Sequence, residues 1–102
     1  MPATALLEWE LDFGPEVVRL VLRGEMDMSA ADVTAPAVEA VAHVADRVVI
    51  DLAGVTFLDG GGLDVLMDVA QRLAGHGVEI VYGTMARPVD RYLGLRGISL
   101  FD

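Results

Sequence analysis

The sequence predicts a single α/β domain in which a mixed, mostly parallel β-sheet is packed by α-helices, in the order β-β-α-β-α-β-α-β. Two observations support this fold class. Strand-like segments alternate with segments of helical periodicity, and the first two strands are separated only by a turn. The 102 residues, 54% of them hydrophobic, can form one core but are too few for two ordinary ones. Residues 1–102 are therefore interpreted as one domain.

The chain is predicted to open with a β-hairpin. Residues 6–12 alternate apolar and acidic side chains, which is typical of a strand with one face in water. Gly14 and Pro15 mark a turn, and residues 16–23 are rich in leucine and β-branched residues. Residues 24–27 are then predicted to form a loop.

The first helix is predicted to begin near Ser29. Ser29 and Asp32 approximate a capping box, and apolar residues follow at helical spacing. Pro36 interrupts the pattern, because proline inside a helix removes a backbone hydrogen bond and kinks the axis. The helix either continues through Pro36 or restarts there with Thr34 or Ala35 as its cap, and the sequence leaves both alternatives open.

The second half begins with a strand and a helix. Residues 47–53 form a continuous apolar run, which is typical of a strand buried on both faces of a parallel sheet. Residues 54–59 are predicted to connect this strand to a run of three glycines. A helix follows from Leu63, whose expected core-facing side chains are Leu63, Leu66, Met67, Ala70 and either Leu73 or Ala74.

The last three predicted elements are short. Residues 78–82 form a buried strand, and residues 87–96 form a helix that is entered through Pro88. Residues 98–101 are predicted to be a final edge strand.

Composition excludes two classes of partner. With 16 acidic against 7 basic residues, the net charge is −9 and the chain would be repelled by nucleic acid and by anionic lipid. Mean hydropathy is +0.50, but no run reaches the roughly 20 apolar residues that span a bilayer. The first residues lack the basic region of a secretory signal. A cytoplasmic protein with no membrane insertion is expected.

The reactive side chains form no recognisable catalytic or metal-binding pattern. There is no cysteine, and the two histidines, His43 and His76, have no second ligand at a metal-binding spacing. They are interpreted as helix-end and turn residues. Neither serine, Ser29 or Ser99, lies in a nucleophile-elbow context. No enzyme activity, metal or cofactor is therefore expected.

The glycine run precedes a helix, where backbone N–H groups can bind an anion. A dinucleotide-binding motif would require glycine where Val65 stands, and no Gly-Lys-Ser/Thr motif follows. The run is therefore interpreted as a tight turn, and Asp59 as the residue that accepts backbone N–H groups at the start of the helix.

Three motifs, in this order, resemble the STAS domain of bacterial anti-sigma-factor antagonists. Residues 22–27 (Leu-Arg-Gly-Glu-Met-Asp) are similar to the family's Gly-Glu-Leu-Asp loop. Residues 48–63 resemble its buried strand leading into an Asp-Ser-Ser/Thr-Gly-Leu turn. Residues 87–97 are similar to its helix that ends in Leu-x-Gly before a last strand. The resemblance spans nearly the whole chain.

The resemblance implies a protein-binding regulator that sequesters a serine-kinase-type anti-sigma factor. In that family the kinase phosphorylates the first serine of the turn, and the added charge and bulk weaken the complex. Asp59 and Gly62 match the motif, but Gly60 occupies the phosphoacceptor position and Gly61 follows it. Without a hydroxyl, Gly60 cannot be phosphorylated, so constitutive binding is expected.

The resemblance also implies a partner-binding surface. Its members are Asp27, Met28, Ser29, Thr56, Asp59, Gly60, Gly61, Gly62, Asp64, Val65 and Asp68. Val65 and Val69 are predicted to lie toward the outer face of their helix, where exposed apolar residues beside acids suit a protein interface. Ser29 and Thr56 are interpreted as capping and turn residues, with a role as substitute phosphoacceptors as the alternative.

A second interpretation is a STAS subunit that binds the ATPase of an ABC transporter of the lipid-trafficking type, which needs no phosphoserine. Ligand binding at the glycine turn is a third interpretation. A homodimer is compatible with the sequence.

Overall fold

The structure is a computed structural model that describes residues 6–97. Its elements in chain order are β1 (Leu7–Phe13), β2 (Val17–Met26), α1 (Ala30–Ala42), β3 (Arg47–Leu58), α2 (Gly60–Gly75), β4 (Glu79–Met85) and α3 (Arg87–Leu95). The predicted β-β-α-β-α-β-α order is confirmed over this range. The predicted eighth element, a strand at residues 98–101, lies outside the described residues.

The strands form one sheet in the order β1-β2-β3-β4. β1 and β2 are antiparallel, whereas β2 with β3 and β3 with β4 are parallel. Parallel neighbours need a crossover connection, and α1 and α2 supply the two crossovers. The sheet is therefore mixed and mostly parallel, as predicted.

One face of the sheet forms the core. Leu20 and Ile50 face inward and are fully buried together with apolar residues of α1 and α2. On the opposite face, Arg19 pairs with Asp51 at 3.2 Å and remains about half exposed. The prediction that residues 47–53 are buried on both faces is therefore wrong. Burial alternates along β3 because these two helices pack on the same side.

Both β2 and β3 are longer than predicted. Residues 24–27 were expected to form a loop, but β2 continues to Met26 through an irregularity in its pairing with β3. Gly24 allows this with a φ of 109°, at a point where a β-carbon would overlap the carbonyl oxygen of Leu6. The expected connection at residues 54–59 is likewise mostly strand, because β3 continues to Leu58. Met26 and Leu58 pair, so the two strands end side by side.

The helix α1 begins after Ser29, as predicted, but the capping box does not form. The Ser29 side chain makes no cap hydrogen bond to the helix. Pro36 lies inside a continuous helix, so the alternative of a restart at this residue is wrong. The indole Nε1 of Trp9 donates to the carbonyl oxygen of Val33 at 2.7 Å, which ties α1 to β1.

The helix α2 begins at Gly60, three residues before the predicted start at Leu63. Its buried face consists of Gly62, Leu63, Val65, Leu66, Val69 and Leu73. The prediction that Val65 and Val69 lie on the outer face is wrong, since they are only 7% and 3% exposed. Met67, expected in the core, is 42% exposed. The predicted core positions Leu63, Leu66 and Leu73 are buried, but Val65 and Val69 take the place of Met67 on the buried face.

The helix α3 contacts β3 and buries Val89 and Leu93. Within residues 6–97, no helix is both long enough and apolar enough to cross a bilayer.

Candidate protein-binding site

Asp59 fixes the start of α2. Its backbone is extended, and its carboxylate accepts the backbone N–H of Gly62 at 2.8 Å. The N–H of Leu63 donates to the Asp59 carbonyl at 2.9 Å. A carboxylate that accepts one of the otherwise unpaired N–H groups of the first turn is a stabilising N-cap. Asp59 therefore has the capping role predicted for it.

The three glycines of the turn differ in how much space surrounds them. At Gly62, a β-carbon would overlap the carbonyl oxygen of Met26, and at Gly61 it would lie 3.0 Å from the backbone nitrogen of Met28. At Gly60, the nearest atom would be the Tyr92 hydroxyl at 3.7 Å, an ordinary contact. Close packing of the turn against residues 26–28 therefore requires glycine at position 62, whereas Gly60 has room for a side chain.

The segment before α1 is organised by Asp27. Its carboxylate accepts the backbone N–H of Ser29 at 2.8 Å and also the Ser29 hydroxyl. The hydrogen bond from the Ser29 hydroxyl, followed by that from the backbone N–H, lowers the pKa of Asp27 below its ordinary 3.8. The Ala30 N–H donates to the Asp27 carbonyl at 3.1 Å. This turn leaves the Met28 side chain 77% exposed.

A shallow groove of about 310 Å³ lies where this segment meets α2. It is lined by Met28, Ala31, Gly61, Asp64, Val65 and Asp68. Five of these six residues belong to the predicted partner-binding set, although they come from two segments far apart in sequence. The groove is acidic, with Asp27 and Asp59 nearby, and Val65 contributes only a small exposed edge.

Thr56 lies elsewhere. It is an exposed residue near the end of β3 and lines a separate groove between β3 and α3. The Tyr92 hydroxyl is next to Gly60, so the two grooves are neighbours. Sequence reasoning missed Tyr92, because the motif at residues 87–97 indicates a helix but not that the helix lies beside the glycine turn.

The two histidines are also closer than their sequence positions suggest. His43 and His76 cap the C-termini of α1 and α2, and their ring centroids are 4.8 Å apart in an edge-to-face arrangement. Two parallel crossover helices end at the same edge of a sheet, which explains the contact. Among residues 6–97, no group of three or more potential metal ligands comes together.

Residues 9–99 match the family model described as "Mlab, STAS domain". The chain belongs to the STAS domain family. The resemblance predicted from the three motifs is thereby confirmed. No match was found among curated protein sequences.

Solved STAS structures share the fold. An anti-sigma factor antagonist from Mycobacterium paratuberculosis has 28% identity and a TM-score of 0.67 over 89% of this chain and 78% of its own. The anti-sigma factor antagonist SpoIIAA in its unphosphorylated form has 17% identity and a TM-score of 0.68, covering 89% and 82%. An antisigma-factor antagonist STAS domain from Rhodobacter sphaeroides has 17% identity and a TM-score of 0.64, covering 78% and 88%. The predicted STAS-like fold class is confirmed.

Proposed function

We propose that this STAS domain is a non-enzymatic, cytoplasmic regulator that binds an anti-sigma factor of the serine-kinase type. Its contact area is the turn surface, which we define as residues 27–29, residues 59–62 and the exposed side chains of Asp64 and Asp68. One observation carries the proposal. Because β2 and β3 end side by side, the exposed Met28 is held against Gly61 at the centre of this surface.

The chemistry of the turn surface suits a protein partner. Met28 offers a flexible apolar side chain that is 77% exposed, and methionine adapts well to an opposing surface. Asp64 and Asp68 line the same groove as Met28, so we expect basic residues around an apolar pocket on the partner. Thr56, which lies outside the turn surface, would contact the partner only at the neighbouring groove.

Binding is constitutive in this proposal because Gly60 has no hydroxyl to receive a phosphate. The exposed position of Gly60 at the start of α2 supports its equivalence to the family's phosphoacceptor. Ser29 is a poor substitute, since its hydroxyl already donates to the Asp27 carboxylate. The complex would then be controlled by the amounts of the two proteins.

A second candidate is a STAS subunit that binds the ATPase of an ABC transporter. The absent phosphoacceptor is compatible with this function, which needs no phosphoserine. The description of the matching family model names Mlab, whereas the three solved structures above are described as anti-sigma factor antagonists. The comparisons therefore do not point to antagonists alone. The same turn surface would serve this partner.

Partner capture from lysate of the native organism tests both candidates. Tagged wild type is compared with Gly60→Asp, which adds charge and bulk at the edge of the turn surface, on the side that faces Tyr92. Gly75→Asp is the matched control, because it adds the same side chain at the other end of α2, where a β-carbon meets nothing within 4 Å. Captured proteins are identified by mass spectrometry.

Recovery of a kinase-type anti-sigma factor by wild type and Gly75→Asp, but not by Gly60→Asp, would support the first candidate. Recovery of an ABC ATPase with the same dependence would support the second. Equal recovery of either protein by all three forms would show that the turn surface is not the contact.

A further inference from the structure

The groove between β3 and α3 is larger than the one at the turn surface, at about 640 Å³. Much of its lining is apolar. Phe57 on β3 is 45% exposed and Leu95 on α3 is 79% exposed, and Pro88 and the half-buried Tyr92 also line the groove. Large apolar side chains exposed around one concavity favour burial by a ligand or partner.

The basic side chains of the chain divide into two groups. Four of the seven arginines each have a carboxylate within 3.2 Å, and these are Arg19, Arg23, Arg47 and Arg72. The other three are Arg87, Arg91 and Arg96, all exposed on α3 or at its C-terminal end. None of these three has a carboxylate of residues 6–97 within 4 Å, although the chain has 16 acidic residues.

The three arginines are arranged around the groove. Arg87 and Arg91 line it directly, with Asp90 as an acidic residue of the same wall. Arg96 donates from Nη1 to the Tyr92 hydroxyl at 3.3 Å, and its guanidinium lies 5.8 Å from the centre of the Tyr92 ring. Within the described part of the chain, two of the arginines without carboxylate partners therefore line this apolar groove, and the third contacts its Tyr92.

We propose that this groove, which we call the arginine groove, binds an acidic peptide segment of a protein partner that carries an aromatic or aliphatic anchor. The anchor would pack between Phe57 and Leu95, and flanking carboxylates would pair with Arg87 and Arg91. Nucleic acid and anionic bilayers fit less well, because a net charge of −9 repels both extended surfaces. A short peptide meets only the local charge of the groove.

The arginine groove differs from the turn surface in charge, so the proposal is independent of the proposed function. The turn surface presents Asp27, Asp59 and Asp64, whereas the neighbouring groove presents arginines. A single partner that contacts both would need a basic region and an acidic segment side by side. Two separate partners would each need only one.

A nuclear magnetic resonance titration of the isotope-labelled protein tests this inference. The probe is the synthetic peptide Glu-Asp-Trp-Leu-Glu-Asp, and its matched control is the neutral peptide Gln-Asn-Trp-Leu-Gln-Asn. We expect the acidic peptide to shift amide resonances of residues 56–58 and 87–96. We expect the neutral peptide to bind about tenfold more weakly, since two exposed ion pairs are lost.

Two variants make the test specific. The double variant Arg87→Gln with Arg91→Gln should weaken the acidic peptide about tenfold, and Leu95→Ala should weaken both peptides. Arg47→Gln is the control, because it removes one positive charge, half of the charge that the double variant removes, at the opposite end of β3, roughly 30 Å away along the strand. All of these side chains are exposed, so we expect each variant to fold. The amide spectrum of each variant is the check.

Several results would overturn the inference. These are equal affinity for both peptides, shifts outside the arginine groove, no shifts at all, or an effect of Arg47→Gln as large as that of the double variant. A parallel titration uses vesicles containing phosphatidylglycerol. If the vesicles shift these resonances and the peptide does not, the ligand class is anionic lipid and the peptide proposal is wrong.

Discussion

Gly62, in the first turn of α2, packs directly on the carbonyl oxygen of Met26 at the end of β2. A β-carbon at position 62 would overlap that oxygen, and the Asp59 N–H donates to the same oxygen at 3.3 Å. The requirement for glycine is steric, since Gly62 is part of a regular helix. This contact fixes the start of α2 against the segment that carries Met28, and so shapes the turn surface.

Replacement of Gly62 by alanine should therefore be costly. We expect Gly62→Ala to lower the free energy of unfolding by about 1–3 kcal/mol, because the added methyl group forces the turn away from β2. Gly60→Ala is the matched control and should change it by less than about 1 kcal/mol, since its β-carbon makes only an ordinary contact. Urea denaturation measures both values, and equal destabilisation would contradict the steric argument.

Asp59, which precedes α2, and Ser29, which precedes α1, should respond differently to replacement by alanine. Asp59→Ala removes an N-cap hydrogen bond and should cost about 1 kcal/mol. Ser29→Ala removes no bond to α1 and should change the free energy of unfolding by less than about 0.5 kcal/mol. The same denaturation experiment compares them. A larger loss for Ser29→Ala than for Asp59→Ala would show that the capping assignments are reversed.

The pKa of Asp27 should depend on Ser29. The Ser29 hydroxyl is the largest cause of its lowered pKa, so Ser29→Ala should raise it toward the ordinary 3.8. A lowered folded-state pKa contributes stability above the unfolded-state pKa, and this contribution is lost as the pH falls through the folded-state pKa. Titration of the Asp27 carboxyl carbon by nuclear magnetic resonance measures the shift. An unchanged pKa in Ser29→Ala would contradict the hydrogen bond.

A phosphoacceptor can be restored at position 60. Gly60→Ser should fold normally, since the new side chain has room beside Tyr92. If the partner is a kinase-type anti-sigma factor, that partner with ATP should phosphorylate Gly60→Ser and leave the wild type unmodified at position 60. Phosphopeptide mass spectrometry detects the product. Phosphate found on Ser29 or Thr56 of the wild type would show instead that a substitute acceptor exists.

The sequence was most informative where a pattern depends on neighbouring residues. Alternation, turn residues and helical spacing predicted the order of the seven described elements, and the three motifs predicted the family. Strand ends were less predictable. The chain continues as strand through Gly24, because pairing with β3 outweighs the preference of glycine for turns.

Contacts between distant segments were the least predictable. The placement of Met28 against Gly61 and of His43 against His76 depends on how the crossovers align, which no local pattern encodes. The side of α2 that holds Val65 and Val69 was also misassigned. Apolar residues lie on more than one side of this helix, so periodicity alone did not distinguish Met67 from Val69.

The dissociation constant of the captured partner for purified wild type, Gly60→Asp and Gly75→Asp tests most directly whether the turn surface is the binding site. Calorimetry provides all three values. We expect Gly60→Asp to weaken binding at least about tenfold, because it places a charge and a side chain within the contact. Gly75→Asp should bind as the wild type does. Equal affinity of all three proteins would contradict binding through this surface.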